Sequence, residues 1–385
     1  MKKDMQLYIH IPFCVRKCAY CDFLSFAADE QTQAAYVQAL IQELEFYGER
    51  YKERNISTIF IGGGTPSCLD ERWMTLIMET VYRCFMVADD AEITMECNPG
   101  TVTDAKFAAY KNVGINRLSI GLQSANDEEL KVLGRIHTFE HFLRTYEKAR
   151  QFGFSNINVD LMSALPGQSV SNFMGSLKKV VRLKPEHISA YSLIIEEGTP
   201  FYEKYREDVR RQERDEPTIF LPKEEEVYEI TERTREFLQA EGYHWYEISN
   251  FARKGMECRH NIGYWKRADY LGVGLGAASL LEEVRYVNTS DFDEYVKNPT
   301  QAAIGEPVSR TAQMEEFMFL GLRMIDGFHR QEFLDKFGID IEAVYGEVLN
   351  TLQREGLLQK REARIALTQK GIDVSNYVLA QFLLS

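Results

Sequence analysis

Three thiols at the start of this chain could do chemistry together. Cys14, Cys18 and Cys21 stand as CxxxCxxC directly after Tyr8-Ile9-His10-Ile11-Pro12-Phe13. That alternating apolar run predicts a short strand, so the thiols fall on the loop leaving it. A loop this short can wrap three thiolates around three corners of an iron-sulfur cube, leaving one iron without a protein ligand. A structural zinc loop is the competing reading. Zinc takes four closed ligands, usually as two CxxC knuckles or a Cys/His set, and no partner pair lies nearby. A disulfide fits less well, because an odd set of crowded thiols without a secretory leader does not look extracellular.

An iron left open in a reducing site can chelate the amino and carboxylate groups of S-adenosylmethionine and pass an electron to its sulfonium. The CxxxCxxC spacing with its YIHIPFC lead-in resembles the radical S-adenosylmethionine (radical SAM) superfamily. Further along, Gly62-Gly63-Gly64-Thr65-Pro66 follows a predicted strand, where missing side chains let a ligand approach bare backbone. A glycine triplet alone is usually a turn. Placed after the cysteine loop, it matches the superfamily's motif for the methionyl end of the cofactor.

Glu96 closes a third predicted strand, Gln123 follows a fourth, Asp160 lies in a fifth, and Arg135 opens a loop between the last two. Singly, each reads more readily as a capped or paired polar residue. Together they are similar to the cofactor residues of the oxygen-independent coproporphyrinogen III oxidase family. That resemblance implies that Tyr8, Tyr20, Gly63, Gly64, Thr65 and Glu96 contact one S-adenosylmethionine. It implies that Gln123, Arg135 and Asp160 match positions contacting a second molecule in the oxidase. Cys14, Cys18 and Cys21 would hold the 4Fe-4S cluster.

A second informative stretch is Cys258-Arg259-His260-Asn261-Ile262-Gly263-Tyr264-Trp265-Lys266-Arg267. A lone histidine is more often a packing residue than a ligand. Here imidazole could ligate haem iron, flat aromatics suit a macrocycle face, and Arg259, Lys266 and Arg267 could meet propionates. The HNxxYW string resembles the haem-chaperone branch of the same family, which makes His260 the expected haem ligand. Tyr270 to Ser279 resembles the family's glycine-rich strand, with Ala278 where many relatives carry histidine.

Positioning these residues falls to alternating elements. Six β-type runs (Leu7 to Pro12, Thr58 to Ile61, Glu92 to Glu96, Arg117 to Leu122, Ile157 to Leu161, His187 to Ile195) alternate with amphipathic stretches. This pattern predicts an α/β fold, a partial (βα)6 TIM-type barrel with its chemistry at the strands' carboxyl ends. The charged segment Glu203 to Pro222 reads as a solvated loop or lid. Helix resumes over Lys223 to Ala240, and the aromatic run Tyr243 to Asn250 reads as a strand at the barrel edge. Helices at Thr311 to Met324, Arg330 to Phe337 and Ile341 to Glu355, with a hairpin over Leu358 to Leu367, predict a smaller winged-helix-like domain. The expected divisions are a radical SAM core over 1–240, a connecting segment with HNxxYW over 241–305, and the winged-helix-like domain over 306–385.

At 385 residues with 45% hydrophobic content the chain can fill a sizeable core. A formal charge of −13 argues against nucleic acid as a partner, since gripping phosphates needs a basic face. No run approaches membrane-span length. Seven cysteines without a secretory leader point to a reducing, cytoplasmic setting. Cys68, Cys84, Cys97 and Cys258 read as small buried residues.

Both branches of the family share the cluster loop. The oxidase pattern continues with a fourth cysteine where this chain has Phe23, and the oxidase carries a long extension where only seven residues precede Tyr8. The resemblance therefore implies a haem chaperone first, with haem, an acceptor protein such as a membrane respiratory enzyme, and an electron donor such as flavodoxin or ferredoxin as partners. Oxidative decarboxylation of coproporphyrinogen is the alternative, and a structural protein using the cluster as a staple the third reading. No CxxCH motif supports thioether attachment of haem.

Overall fold

The computed structural model describes residues 3–214, 216–301 and 304–384. Its first part runs β1 (Asp4–Ile11), α1 (Glu30–Tyr51), β2 (Asn55–Gly63), α2 (Glu71–Cys84), β3 (Met86–Cys97), α3 (Asp104–Asn112), β4 (Arg117–Gln123), α4 (Asp127–Val132), α5 (Phe139–Gln151), β5 (Ile157–Ser163), α6 (Val170–Arg182) and β6 (His187–Ser192). These six strands pair in parallel in chain order. The helices start where short polar side chains cap them: Ser169 accepts from Asn172 N and opens α6, whose buried stripe is Phe173, Met174, Leu177, Val180 and Val181.

Alternation along each strand makes two different faces. On β4, Leu118, Ile120 and Leu122 are fully buried toward the helices, while Arg117, Ser119, Gly121 and Gln123 line the concave side. Removing one of the apolar three, as in Leu118→Ala, would cost about 2–5 kcal/mol. The outer face thus holds the barrel together, and the inner one is left free for polar residues.

The sheet extends beyond six strands. α7 (Pro200–Gln212), α8 (Glu224–Ala240), β7 (His244–Glu247), β8 (Asn250–Ala252), α9 (Arg259–Trp265), β9 (Tyr270–Val273), β10 (Ala278–Leu281), β11 (Val284–Val287), α10 (Phe292–Lys297) and β12 (Glu306–Pro307) follow. The full order is β12-β11-β10-β9-β1-β2-β3-β4-β5-β6-β8-β7. β9 joins β1 in parallel, and β8 joins β6 antiparallel. The run Tyr243 to Asn250 is accordingly a tight hairpin rather than one strand.

The expected loop over Glu203 to Pro222 is corrected by α7. Thr199 accepts from Tyr202 N at its start, Pro200 sits in its first turn, and Phe201, Tyr205 and Asp208 form its buried side. The remainder folds back because the Asp208 carboxylate accepts from Ile219, Phe220 and Leu221 N at 2.9, 2.5 and 2.9 Å. Asp215, within the same stretch, lies outside the described residues. Of the spare cysteines, Cys97 and Cys258 are buried as expected, whereas Cys68 and Cys84 are only half-buried.

The last part comprises α11 (Arg310–Gly321), β13 (Phe328–His329), α12 (Arg330–Phe337), α13 (Ile341–Arg354), β14 (Leu358–Arg361), β15 (Arg364–Leu367), α14 (Gln369–Asp373) and α15 (Ser375–Ala380). Its small sheet, β13-β15-β14, and the helices before it make a winged-helix-like unit. Ring contacts among Phe317, Phe328, Phe333, Phe337 and Tyr345 fill its core. It docks on α9: Arg323 lies 4.3 Å over the Trp265 ring, and Arg267 donates to Glu316 at 2.7 Å. Among the described residues no helix is long and apolar enough to cross a membrane.

Candidate functional site

The cysteine loop is tied to the sheet's carboxyl end on both flanks. Cys14 N donates to Phe26 O and Phe26 N to Pro12 O, each at 2.9 Å, while Thr65 N donates to Phe13 O at 2.7 Å. Gly64 packs so closely that a Cβ there would lie 2.7 Å from Phe13 O and 3.0 Å from Ile11 O. Cys14, Cys18 and Cys21 remain half-buried and line one cavity of about 360 Å³. Arg135 donates to Cys18 Sγ at 3.5 Å, and Cys14 Sγ lies 3.4 Å from Thr65 Oγ1. Burial pushes the Cys21 thiol pKa up.

Among the described residues no three His, Cys, Asp or Glu side chains close on a single ion. A cube asks for something else: thiolates spread over three corners, with cationic or hydrogen-bonding neighbours to disperse their charge. One loop presents three thiols to one cavity, with a guanidinium on the middle one. The donor set fits a cluster.

The cavity wall gathers most of the other expected residues. Tyr20, Gly63, Gly64, Thr65, Glu96, Gln123, Arg135 and Asp160 all line it. Gly63 holds φ +111°, and a Cβ there would meet the His10 ring at 2.4 Å. Its N–H instead donates to Glu96 Oε2 at 3.0 Å. Burial, and then the neighbouring Asp160 charge, lift the Glu96 carboxyl to about 7. Burial also raises Asp160, against donation from Asn158 at 2.7 Å. Thr65 Oγ1 accepts from Asn98 at 2.7 Å, and Gln123, at φ +70°, accepts from the Tyr191 hydroxyl at 2.9 Å.

Tyr8 and His260 are the expected residues that do not line this cavity. The Tyr8 hydroxyl lies 3.0 Å from His10 Nδ1, and Tyr8 faces a separate groove. His10 Nε2 in turn donates to Leu24 O at 3.0 Å, tying the strand to the cysteine loop. Asn98, Arg117, His187 and Tyr191 line the cavity as well, and the sequence reading missed them. The alternation of Arg117, Ser119, Gly121 and Gln123 along one strand was the signal available.

The HNxxYW segment is α9, and it closes the opposite end of the barrel. Glu92 on β3 accepts from Arg259 N and His260 N at 3.0 and 3.1 Å, and Gln6 on β1 donates to His260 O at 3.1 Å. The His260 ring is 1% exposed, with Nδ1 2.8 Å from Thr58 Oγ1 and Nε2 3.0 Å from the Tyr264 hydroxyl. Burial, then Arg117, depress its pKa to about 3, so the ring is neutral. Both nitrogens are engaged, so ligating an iron requires Tyr264 to leave. Of the cations expected to meet propionates, Arg267 is buried against Glu283 and Glu316 and Arg259 pairs with Asp90, while Lys266 stays exposed. Tyr264 and Trp265 themselves border a groove of about 460 Å³ with Tyr8, Tyr270, Ala278, Leu280, Phe319 and Leu320.

Residues 8–180 match the radical SAM superfamily, and residues 308–374 match the HemN C-terminal domain. Coproporphyrinogen III oxidase (HemN) of Escherichia coli, a radical SAM enzyme, superposes with a TM-score of 0.83 at 24% identity, covering 100% of this chain and 91% of that one. The fold is thus that of a radical SAM protein with a HemN-type C-terminal unit. Heme chaperone HemW of Lactococcus lactis is 36% identical over 100% of this chain and 98% of its own length. The Bacillus subtilis and Escherichia coli proteins of the same name are 35% and 36% identical, each covering 98% of both chains. The chain belongs to the heme chaperone HemW family.

Proposed function

We propose that this protein binds haem and hands it to an acceptor protein, carrying a 4Fe-4S cluster on Cys14, Cys18 and Cys21 and S-adenosylmethionine beside it. The observation that carries the reading is the convergence of three half-buried thiols with Gly63, Gly64, Thr65 and Glu96 on one cavity, in a chain similar throughout its length to named heme chaperones. When bound, the cluster supplies one electron to a sulfonium. The chain's own part is to hold and shield. Gly63 and Gly64 offer bare backbone, Glu96 brings a carboxyl lifted to about 7 and Asp160 one raised by burial, and Arg135 offsets thiolate charge.

Haem is assigned to the groove beside Tyr264 and Trp265, whose volume suits a flat apolar ligand. Tyr264 stands between that groove and His260 Nε2, so its hydroxyl gates the imidazole. Within this reading the divisions are a radical SAM core over 1–240, a connecting segment over 241–305 and the winged-helix-like unit over 306–385. An electron donor of the flavodoxin or ferredoxin kind would dock at the cysteine end, with a respiratory membrane enzyme as one acceptor class.

The test is anaerobic. The cluster is reconstituted, haem is titrated by absorbance on wild type and His260→Ala, and 5′-deoxyadenosine is assayed with coproporphyrinogen present. Saturable haem binding and transfer to an apo-acceptor without stoichiometric decarboxylation is expected. Decarboxylation would instead establish the oxidase reading. Absence of both haem binding and cofactor cleavage would leave a structural role for the cluster.

A further inference from the structure

Arg117 opens β4 with its side chain on the concave face, 2% exposed and at the deep end of the cysteine-lined cavity. Its neighbours there are Ser119, Asn158, Asp160, His187 and Asn261. They are largely committed to one another. His187 Nδ1 donates to Asn158 Oδ1 at 2.6 Å, His187 Nε2 lies 2.8 Å from the Tyr246 hydroxyl, and Asn158 and Ser119 both donate to Asp160.

Arg117 takes no part in these bonds. Among the described residues its guanidinium has no ion pair and no hydrogen bond, and its Nε is sealed from solvent without a partner. A buried guanidinium carries five N–H donors in a fixed fork. Leaving them unmet is among the costlier arrangements in a protein interior, which makes such a group a candidate for a ligand's partner rather than a structural brace. Cys258, Glu92, Tyr246 and Asp160 surround it and favour the charged form. Yet Glu92 is spent on the start of α9, and Asp160 on Asn158 and Ser119.

We propose that Arg117 anchors a carboxylate of a ligand that descends into the barrel from the cysteine end. The fork geometry selects a planar, bidentate acceptor, which a carboxylate is. Two sources share that chemistry: the amino-acid end of a second sulfonium nucleotide, since that of the first is expected on the open iron, and a propionate of a tetrapyrrole that enters this cavity instead of the groove beside Tyr264. The inference deepens the reading of this cavity as a cofactor site, and its test is arranged to fail separately from the haem assignment.

The experiment uses the anaerobically reconstituted full chain and equilibrium dialysis with two ligand pairs. One pair is S-adenosylmethionine and its decarboxylated analogue; the other is haem and its dimethyl ester. Wild type is expected to prefer one of the acids, and Arg117→Gln to shrink that preference by about 10- to 100-fold relative to the carboxylate-free analogue. The ratio between the two proteins isolates the arginine from any other contact the carboxylate makes. Whichever pair responds names the source. Arg117→Lys, which keeps the charge but not the fork, should fall between and serves if the glutamine variant does not fold. If neither preference changes in a folded variant, the anchor role is overturned. If haem fails to bind at all, the haem-chaperone reading falls while the nucleotide pair still reports on Arg117.

Discussion

Tyr264 and His260 form a closed pair: the phenol hydroxyl sits 3.0 Å from Nε2 while their rings meet edge to face at 4.9 Å. With Thr58 on the other nitrogen, the imidazole is fixed in orientation and neutral, as a ligand must be, but covered. Removing the cover should favour ligation. Tyr264→Phe is expected to tighten haem binding by about fivefold, the worth of one net hydrogen bond. His260→Ala should remove the ligand's signature from the Soret band and cost about 2 kcal/mol of stability for the lost buried bonds. Absorbance titration and denaturant melts read both. A folded His260→Ala protein with the wild-type spectrum would place the iron elsewhere.

Gly64 tests the cluster loop without touching a thiol. The atoms a Cβ would strike are the backbone of Ile11 and Phe13, which cannot rotate aside as a side chain can. Gly64→Ala should therefore displace the strand next to Cys14 at a cost of about 1–3 kcal/mol. Iron and acid-labile sulfide per chain should fall sharply on reconstitution, with far-UV circular dichroism nearly unchanged. Full iron content would show that the loop tolerates the shift.

Those local features were legible because each is written within a few residues. The same holds for the C-terminal helices, where Phe333 and Phe337 keep helical spacing in one helix and Ile341, Tyr345, Leu349 and Leu352 in the next. α7 was obscured because only Phe201 and Tyr205 mark its apolar side among charges, and because Asp208 does its work by accepting from backbone 11 to 13 residues further on. The burial of His260 was harder still to read. It depends on Gln6, Thr58 and Glu92 reaching in from three strands, contacts that no local period encodes. The pairing of β9 with β1 is of that same long-range kind.

Glu96 makes the site pH-sensitive in a defined direction. Its carboxyl is lifted by burial, then by Asp160, from the ordinary 4.5 to about 7. A raised folded-state value means the folded chain holds the proton more tightly than the unfolded one. The resulting stability is fully present below pH about 4.5 and is lost as pH rises through about 7. The whole effect is on the order of 3 kcal/mol. Glu96→Gln keeps a neutral group at every pH, so it should match wild type near pH 4.5 and exceed it above pH 7. Melting the cluster-free chain across that range checks the sign. Glu43, also lifted to about 7 by burial, leaves a residual slope in the variant.

Arg135 links the cluster loop to the barrel wall by three contacts: Cys18 Sγ at 3.5 Å, Asn98 Oδ1 at 2.8 Å and the Gly121 carbonyl. The absence of a side chain at Gly121 is what admits it, since a Cβ there would lie 2.9 Å from the guanidinium. A cation against a cluster thiolate favours the more negative, reduced state. Arg135→Met keeps the volume and removes the charge, so the reduction potential of the one-electron couple should drop by on the order of 50 mV, equivalent to about one net hydrogen bond. Arg135→Lys should recover part of that drop, because charge returns without the fork. Redox titration monitored by electron paramagnetic resonance measures it. An unchanged potential in the methionine variant would mean that Arg135 supports only the wall, through Asn98 and Gly121, and leaves the cluster's electron affinity to its other neighbours.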